Sequence, residues 1–179
     1  GSPMRYDQYE IKKVEHMKSL SEETECFSLD LYVADKKFAH VSNRGHGGCH
    51  EVHPYPPFTW DDVKRVTEEM KDDKFLVDSD FEEFDTAVST LFSLWSVAKD
   101  LTKGCKKKAM YLDGGELYSS GYKGAKAPDQ RLFDQIRKQY PDAVILNGMD
   151  VTEAAKLVVL EERKKFDAMY GASLKGNTI

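Results

Sequence analysis

Hydrophobic and polar residues alternate most regularly between Cys26 and Val33. One face of this segment holds four large apolar side chains: Phe27, Leu29, Leu31 and Val33. Because successive side chains of a strand point to opposite faces, the pattern predicts a half-buried β-strand. Less regular alternation predicts three more strands, over residues 9–17, 38–42 and 49–55. Short polar segments separate them, so the first third is predicted to be an antiparallel meander of three or four strands.

The helical spacing of apolar residues begins after this meander. The sequence Thr59-Trp-Asp-Asp62 has the form of a capping box and predicts a first helix. Ser79-Asp-Phe-Glu82 is a second such box and precedes a longer apolar stripe. The members of that stripe are Phe81, Phe84, Val88, Leu91, Trp95 and Ala98. They predict a long amphipathic helix that covers the sheet and ends at Gly104.

The last part of the chain mixes both patterns. Residues 109–118 are predicted to form a hairpin that turns at Asp113-Gly114-Gly115. Asp129 and Asp150 are expected to cap two further helices, with a short apolar strand between them that ends near Asn147. The inner side of the final helix is predicted to carry Leu157, Val158, Phe166, Met169 and Tyr170.

These elements predict an α+β fold with a single domain over residues 4–171. We expect residues 1–3, Gly-Ser-Pro, to be a tag scar and residues 172–179 to form a frayed tail. The chain has 179 residues, of which 40% are hydrophobic and 32% charged, which excludes collagen and a mostly disordered polymer. Because the sequence has no long apolar run, we expect no membrane association. We expect a cytoplasmic location. Three cysteines with wide spacing do not suggest a disulfide framework.

The net charge of −5 is unevenly distributed. Residues 61–100 contain 12 acidic and 5 basic side chains, whereas residues 101–140 contain 4 acidic and 9 basic ones. This segregation predicts either an acidic and a basic recognition surface or two ordinary solvated helix surfaces.

Four of the five histidines lie close together in the sequence, within residues 40–53. With the neighbouring cysteine they give a candidate transition-metal set of His40, His46, Cys49 and His53, with zinc as one candidate ion. We expect His50 to face the core with Val52, and His40 to lie opposite Cys49 or Glu51 on the outer face. Since no CxxC or HExxH spacing is present, the alternative is a polar sheet face whose histidines are solvated. No cofactor is assigned.

Two other segments could bind an anionic ligand. The glycine-rich turn would offer backbone N–H groups and a guanidinium, from Asn43, Arg44, His46, Gly47 and Gly48. A later segment mixes lysines with aromatic rings that could stack on a nucleotide: Lys106, Lys107, Lys108, Tyr111 and Tyr122. Alternatively, the first segment is a turn that simply requires glycine and the second is a solvated loop. The acidic net charge disfavours nucleic acid as the partner.

Three pieces of the chain resemble uncharacterised small proteins encoded by bacteriophages and related mobile elements. They are the strand Phe27–Val33, the hairpin Phe38–Cys49 and the segment Tyr140–Asn147. The resemblance implies an accessory protein that is made during infection and acts on host machinery or host defence. It supplies no activity and no catalytic residue.

The sequence therefore predicts a non-enzymatic protein that binds or sequesters a host protein or host-derived ligand. Its expected contact surfaces are the acidic segment 61–85 and the glycine turn with the outer sheet face beside it. One alternative is a metal-dependent or nucleotide-processing enzyme with its site on the hairpin of residues 40–53. Another is a small nucleotide or nucleic-acid binder.

Overall fold

The computed structural model describes residues 4–16, 26–44, 49–124 and 126–176. The chain divides into two compact units, Gly1–Trp95 and Ser96–Ile179. The architecture is α+β, as predicted. The expectation of one domain stays a prediction.

The first unit contains a four-stranded antiparallel sheet in the order β1-β2-β3-β4. Its strands are β1 (Tyr9–His16), β2 (Cys26–Val33), β3 (Lys36–Arg44) and β4 (Glu51–Pro54). This order confirms the predicted meander. The polar stretch expected between β1 and β2, residues 19–25, lies outside the described residues.

The alternation of β2 determines which face of this sheet is buried. Leu29 and Leu31 have no exposed surface, and neither have Ala39 and Val41 on β3. The turn between β2 and β3 is shorter than predicted, because Lys36 and Lys37 already belong to β3. Ala34 and Asp35 form this turn with φ angles of 50° and 67°, the left-handed conformation that two-residue hairpins use.

Helix α1 (Trp60–Lys71) begins where the first capping box predicts. The backbone N–H of Thr59 donates to Oδ2 of Asp62 over 2.8 Å, which satisfies a donor that the helix itself cannot pair. The helix buries three apolar residues at helical spacing: Val63, Val66 and Met70.

Helix α2 (Glu83–Gly104) ends at the predicted glycine but begins later than predicted. Glu82 has a φ angle of 47°, which is incompatible with a right-handed helix, so the capping-box residues stay outside it. Phe81 is 74% exposed, and its assignment to the buried stripe was wrong. The stripe is confirmed at the buried Phe84, Val88 and Leu91, whereas Trp95 is partly exposed. The ring of Phe92 stacks on Phe27 of the sheet at 4.9 Å.

The second unit contains a three-stranded sheet in the order β6-β5-β7. Its strands are β5 (Ala109–Asp113), β6 (Glu116–Ser120) and β7 (Val144–Ile145). The predicted hairpin is confirmed, since Gly114 and Gly115 form its turn with φ angles of 57° and 80°. Helix α3 (Gln130–Gln139) is capped as predicted by Asp129, whose side chain accepts a hydrogen bond from the Leu132 N–H.

Helix α4 (Val151–Gly176) begins at the predicted cap, where Asp150 accepts a hydrogen bond from the Glu153 N–H. Val158 is buried as expected. Phe166, Met169 and Tyr170 are 68%, 73% and 59% exposed, so their placement on the inner side was wrong. Among the described helices, none combines the length and the apolar character that crossing a membrane requires.

Candidate functional site

The register of β3 and β4 separates the predicted histidine–cysteine set. His40 lies opposite His53, so the expected position opposite Cys49 or Glu51 was wrong. The reason is that β4 begins only at Glu51, while Cys49 and His50 precede it and bond instead to residues at the start of α2. The remaining candidate, His46, lies outside the described residues.

A row of polar side chains crosses the outer face, by which we mean the side of the first sheet opposite Leu29 and Val41. Asp30, His40 and His53 lie in register on β2, β3 and β4. The exposed fraction of Asp30 is only 3%. This carboxylate therefore depends on its hydrogen-bond partners for stabilisation.

Three side chains form hydrogen bonds or an ion pair with Asp30. The imidazole of His40 donates from Nδ1 to Oδ1 over 3.0 Å, and the Tyr55 hydroxyl donates to the same oxygen over 2.6 Å. The ammonium of Lys37 lies 3.8 Å from Oδ2. Burial alone would raise the pKa of Asp30, but these hydrogen bonds and charges outweigh burial and lower it. The hydrogen bond to Asp30 raises the pKa of Tyr55 to about 12.

Sequence reasoning missed Asp30 and its hydrogen-bond partner Tyr55. The signal for Asp30 was its position in the middle of a strand, where aspartate is uncommon. Tyr55 gave no comparable signal, because it follows β4 between prolines and its contact depends on the sheet register.

His50 faces the interior, as predicted. Its ring packs edge-on against Phe27 at 5.0 Å. Nδ1 accepts a 3.0 Å hydrogen bond from the amide of Asn43, and Nε2 donates to the Ser89 hydroxyl over 2.9 Å. Burial lowers the pKa of His50, which favours this neutral tautomer. His50 is therefore a structural residue.

The glycine-turn candidates are only partly described. Asn43 and Arg44 belong to β3 rather than to a turn, and Asn43 is buried against His50. Asn43 is therefore not available to an anion, which corrects that expectation. Arg44 is exposed, whereas Gly47 and Gly48 lie outside the described residues.

Cys49 precedes β4 and contacts the residues that precede α2. Its thiol donates a 2.8 Å hydrogen bond to Oε1 of Glu82. This bond, with the nearby charge of Asp85, raises the pKa of Cys49 to about 11. One atom each from Cys49, Glu82 and Asp85 lies within 4.8 Å of the other two, so the group could hold a metal ion if the thiol lost its proton.

The residues Asp78–Glu83, which we call the acidic loop, expose an aromatic ring between carboxylates. Phe81 lies at its centre, with Asp80 and Glu82 exposed on either side. The preceding Phe75, Leu76 and Val77 are buried and fix one end of the loop. At the other end, Lys71 forms a 3.2 Å ion pair with Glu83.

The basic and aromatic candidates do not form one stacking surface. Tyr111 is only 5% exposed and packs between Tyr118 and Tyr140, so its expected availability to a nucleotide was wrong. The Tyr122 hydroxyl donates to Asp129 over 2.7 Å, and Lys126 lies 4.5 Å from the centre of its ring. The predicted lysines of this surface are all exposed: Lys106, Lys107 and Lys108.

Comparison of the chain with protein-family models, curated proteins and solved structures finds no match.

Proposed function

We propose that the chain is a non-enzymatic binding protein that captures a partner protein through the acidic loop and the adjoining residues that precede β4. One observation carries this proposal. The acidic loop and the residues that precede β4 adjoin each other, because the Cys49 thiol bonds to Glu82 of the loop and the His50 N–H bonds over 3.0 Å to Asp85, which follows the loop. A partner could contact both without a change of fold.

The acidic loop is pre-organised for binding. Its carbonyl at Phe81 accepts hydrogen bonds from the hydroxyls of Ser79, over 3.3 Å, and Thr86, over 3.4 Å. The ion pair to Lys71 and the thiol bond to Glu82 restrain the loop further. A restrained loop loses little conformational entropy on binding, which favours affinity.

The chemistry of the loop indicates the kind of surface that it would bind. An exposed phenylalanine loses its contact with water when it enters an apolar pocket, and such aromatic anchors dominate many interfaces. The carboxylates around Phe81 would pair with lysine or arginine at the rim of that pocket. The expected partner is therefore a protein with an apolar pocket bordered by basic side chains.

Two further points favour binding over catalysis. A thiol whose pKa is about 11 is a poor nucleophile at neutral pH. From the resemblance of the motif order to bacteriophage proteins we also propose that the partner is a host protein, of the host machinery or host defence, and that capture takes place in the host cytoplasm.

The test uses a photo-crosslinking phenylalanine analogue in place of Phe81, with the full-length protein in a bacterial lysate. We expect one host protein to crosslink at position 81. We expect this crosslink to disappear at high salt, because salt screens the carboxylates. The matched control carries the analogue at Phe166, another exposed aromatic residue, and should not crosslink to that protein.

The captured protein is then purified and its affinity measured directly. Phe81→Ala should weaken binding at least tenfold without changing the thermal stability, since the ring is 74% exposed. A captured protein that binds wild type and Phe81→Ala equally would refute the proposed surface.

A further inference from the structure

The outer face of the first sheet brings two imidazoles together. His40 on β3 and His53 on β4 are direct cross-strand partners. Directly opposed side chains on one face have Cβ atoms about 4.5–5.5 Å apart. Two imidazoles at this spacing can approach one ion from neighbouring strands.

The first imidazole is already oriented. Asp30 accepts the Nδ1 proton of His40 over 3.0 Å, so the lone pair of that ring lies on Nε2. Within the described part of the chain, Nε2 of His40 takes part in no hydrogen bond. A carboxylate that accepts the second ring proton is the usual arrangement behind a metal-ligating histidine, because it fixes the tautomer and the ring orientation.

The carboxylate behind His40 is itself held in place. Tyr55 donates a hydrogen bond to it over 2.6 Å, and only 3% of the Asp30 surface is exposed to solvent. Lys37 lies over the ring of Tyr55 at 4.4 Å and near Asp30 at 3.8 Å. The orienting group therefore has fixed geometry, whereas a solvated surface pair would not.

The second imidazole is free to turn. His53 is exposed, and among the described residues it forms no hydrogen bond and no ion pair. A purely structural role explains the Asp30–His40 pair but does not use a second histidine in register with it. Imidazole nitrogen is a preferred donor for Zn²⁺, Cu²⁺ and Ni²⁺.

We infer that His40 and His53 bind one divalent transition-metal ion of this class on the outer face, with Asp30 as the carboxylate that orients His40. Water would take the remaining coordination positions. The inference goes beyond the proposed function, because none of these residues belongs to the acidic loop.

The test is a calorimetric titration of the full-length protein, without an affinity tag, with Zn²⁺. We expect one ion per chain. His53→Gln should weaken binding at least tenfold, and it should leave the fold intact because this side chain is exposed and forms no hydrogen bond with the described residues. Asp30→Asn should weaken binding about 10–100-fold.

Cys49→Ser is the matched control, because Cys49 belongs to the other group of metal-ligating side chains. It should leave the Zn²⁺ affinity unchanged. Loss of binding in Cys49→Ser would overturn the inference, and so would equal affinity of wild type and His53→Gln or the absence of binding to wild type.

A spectroscopic measurement identifies the ligands. With Cu²⁺ as the probe, electron paramagnetic resonance should show nitrogen hyperfine coupling from two imidazoles in wild type and from one in His53→Gln. An identical spectrum in both proteins would contradict the assignment.

Discussion

The thiol of Cys49 donates a 2.8 Å hydrogen bond to the carboxylate of Glu82, 33 residues further along the chain. The carboxylate stabilises the protonated thiol and opposes the charge of a thiolate, so the pKa of Cys49 is raised to about 11. An exposed cysteine is thereby kept unreactive, although its exposure alone would suggest the opposite.

Glu82→Gln should remove this stabilisation of the protonated thiol. The glutamine removes the negative charge beside the thiol, so we expect the pKa of Cys49 to fall and its alkylation at pH 8 to accelerate about tenfold or more. Peptide mass spectrometry after a timed reaction resolves Cys49 from Cys26 and Cys105. Glu51→Gln, at an exposed glutamate two residues from Cys49, is the control and should not change the rate.

The hydroxyl of Tyr122 controls the titration of Asp129. Its 2.7 Å hydrogen bond is the largest influence that lowers the pKa of this carboxyl, followed by the Leu132 N–H. The charged form therefore contributes stability above the ordinary pKa of aspartate, and that contribution is lost as the pH falls through the lowered value. Tyr122→Phe should raise the pKa of Asp129, as followed by carboxyl NMR. No change in the titration midpoint would contradict the hydrogen bond.

Patterns that are local in sequence predicted most of the fold. The alternation of β2, the capping box at Thr59 and the glycine pair Gly114-Gly115 each depend on neighbours within a few residues, and the structure confirms all three. The second capping box failed because a single residue, Glu82, has a left-handed backbone. Composition does not reveal such a conformation, since glutamate rarely adopts it.

The arrangement of the candidate site depends on strand register and tertiary packing, which local sequence patterns do not reveal. The cluster of histidines in residues 40–53 indicated the outer face, but the partner of His40 depends on the register of β3 with β4. A shift of one residue moves each side chain to the opposite face. Likewise, the contact between Cys49 and Glu82 is made across 33 positions and follows from tertiary packing alone.

Asn147 joins two segments of the second unit and should be important for its stability. Its Oδ1 accepts from the Met110 N–H over 2.7 Å, and its Nδ2 donates to the carbonyls of Lys108 and Cys105 over 2.9 and 3.3 Å. Asn147→Ala would leave these backbone groups without their partner. We expect it to lower the free energy of unfolding by about 2 kcal/mol, measured by urea denaturation. Asp142→Ala, at an exposed position nearby, should have little effect.

Helix α4 allows a direct test of where its buried face ends. Val158 is 3% exposed, so Val158→Ala should lower the free energy of unfolding by about 2 kcal/mol through lost burial and the cavity that remains. Phe166 is 68% exposed and stacks with Tyr170, one turn further on the same helix, at 6.3 Å. Phe166→Gln should change the free energy by less than about 0.5 kcal/mol. If both substitutions destabilise the protein equally in urea denaturation, Phe166 is buried in solution and the prediction of an exposed side chain is wrong.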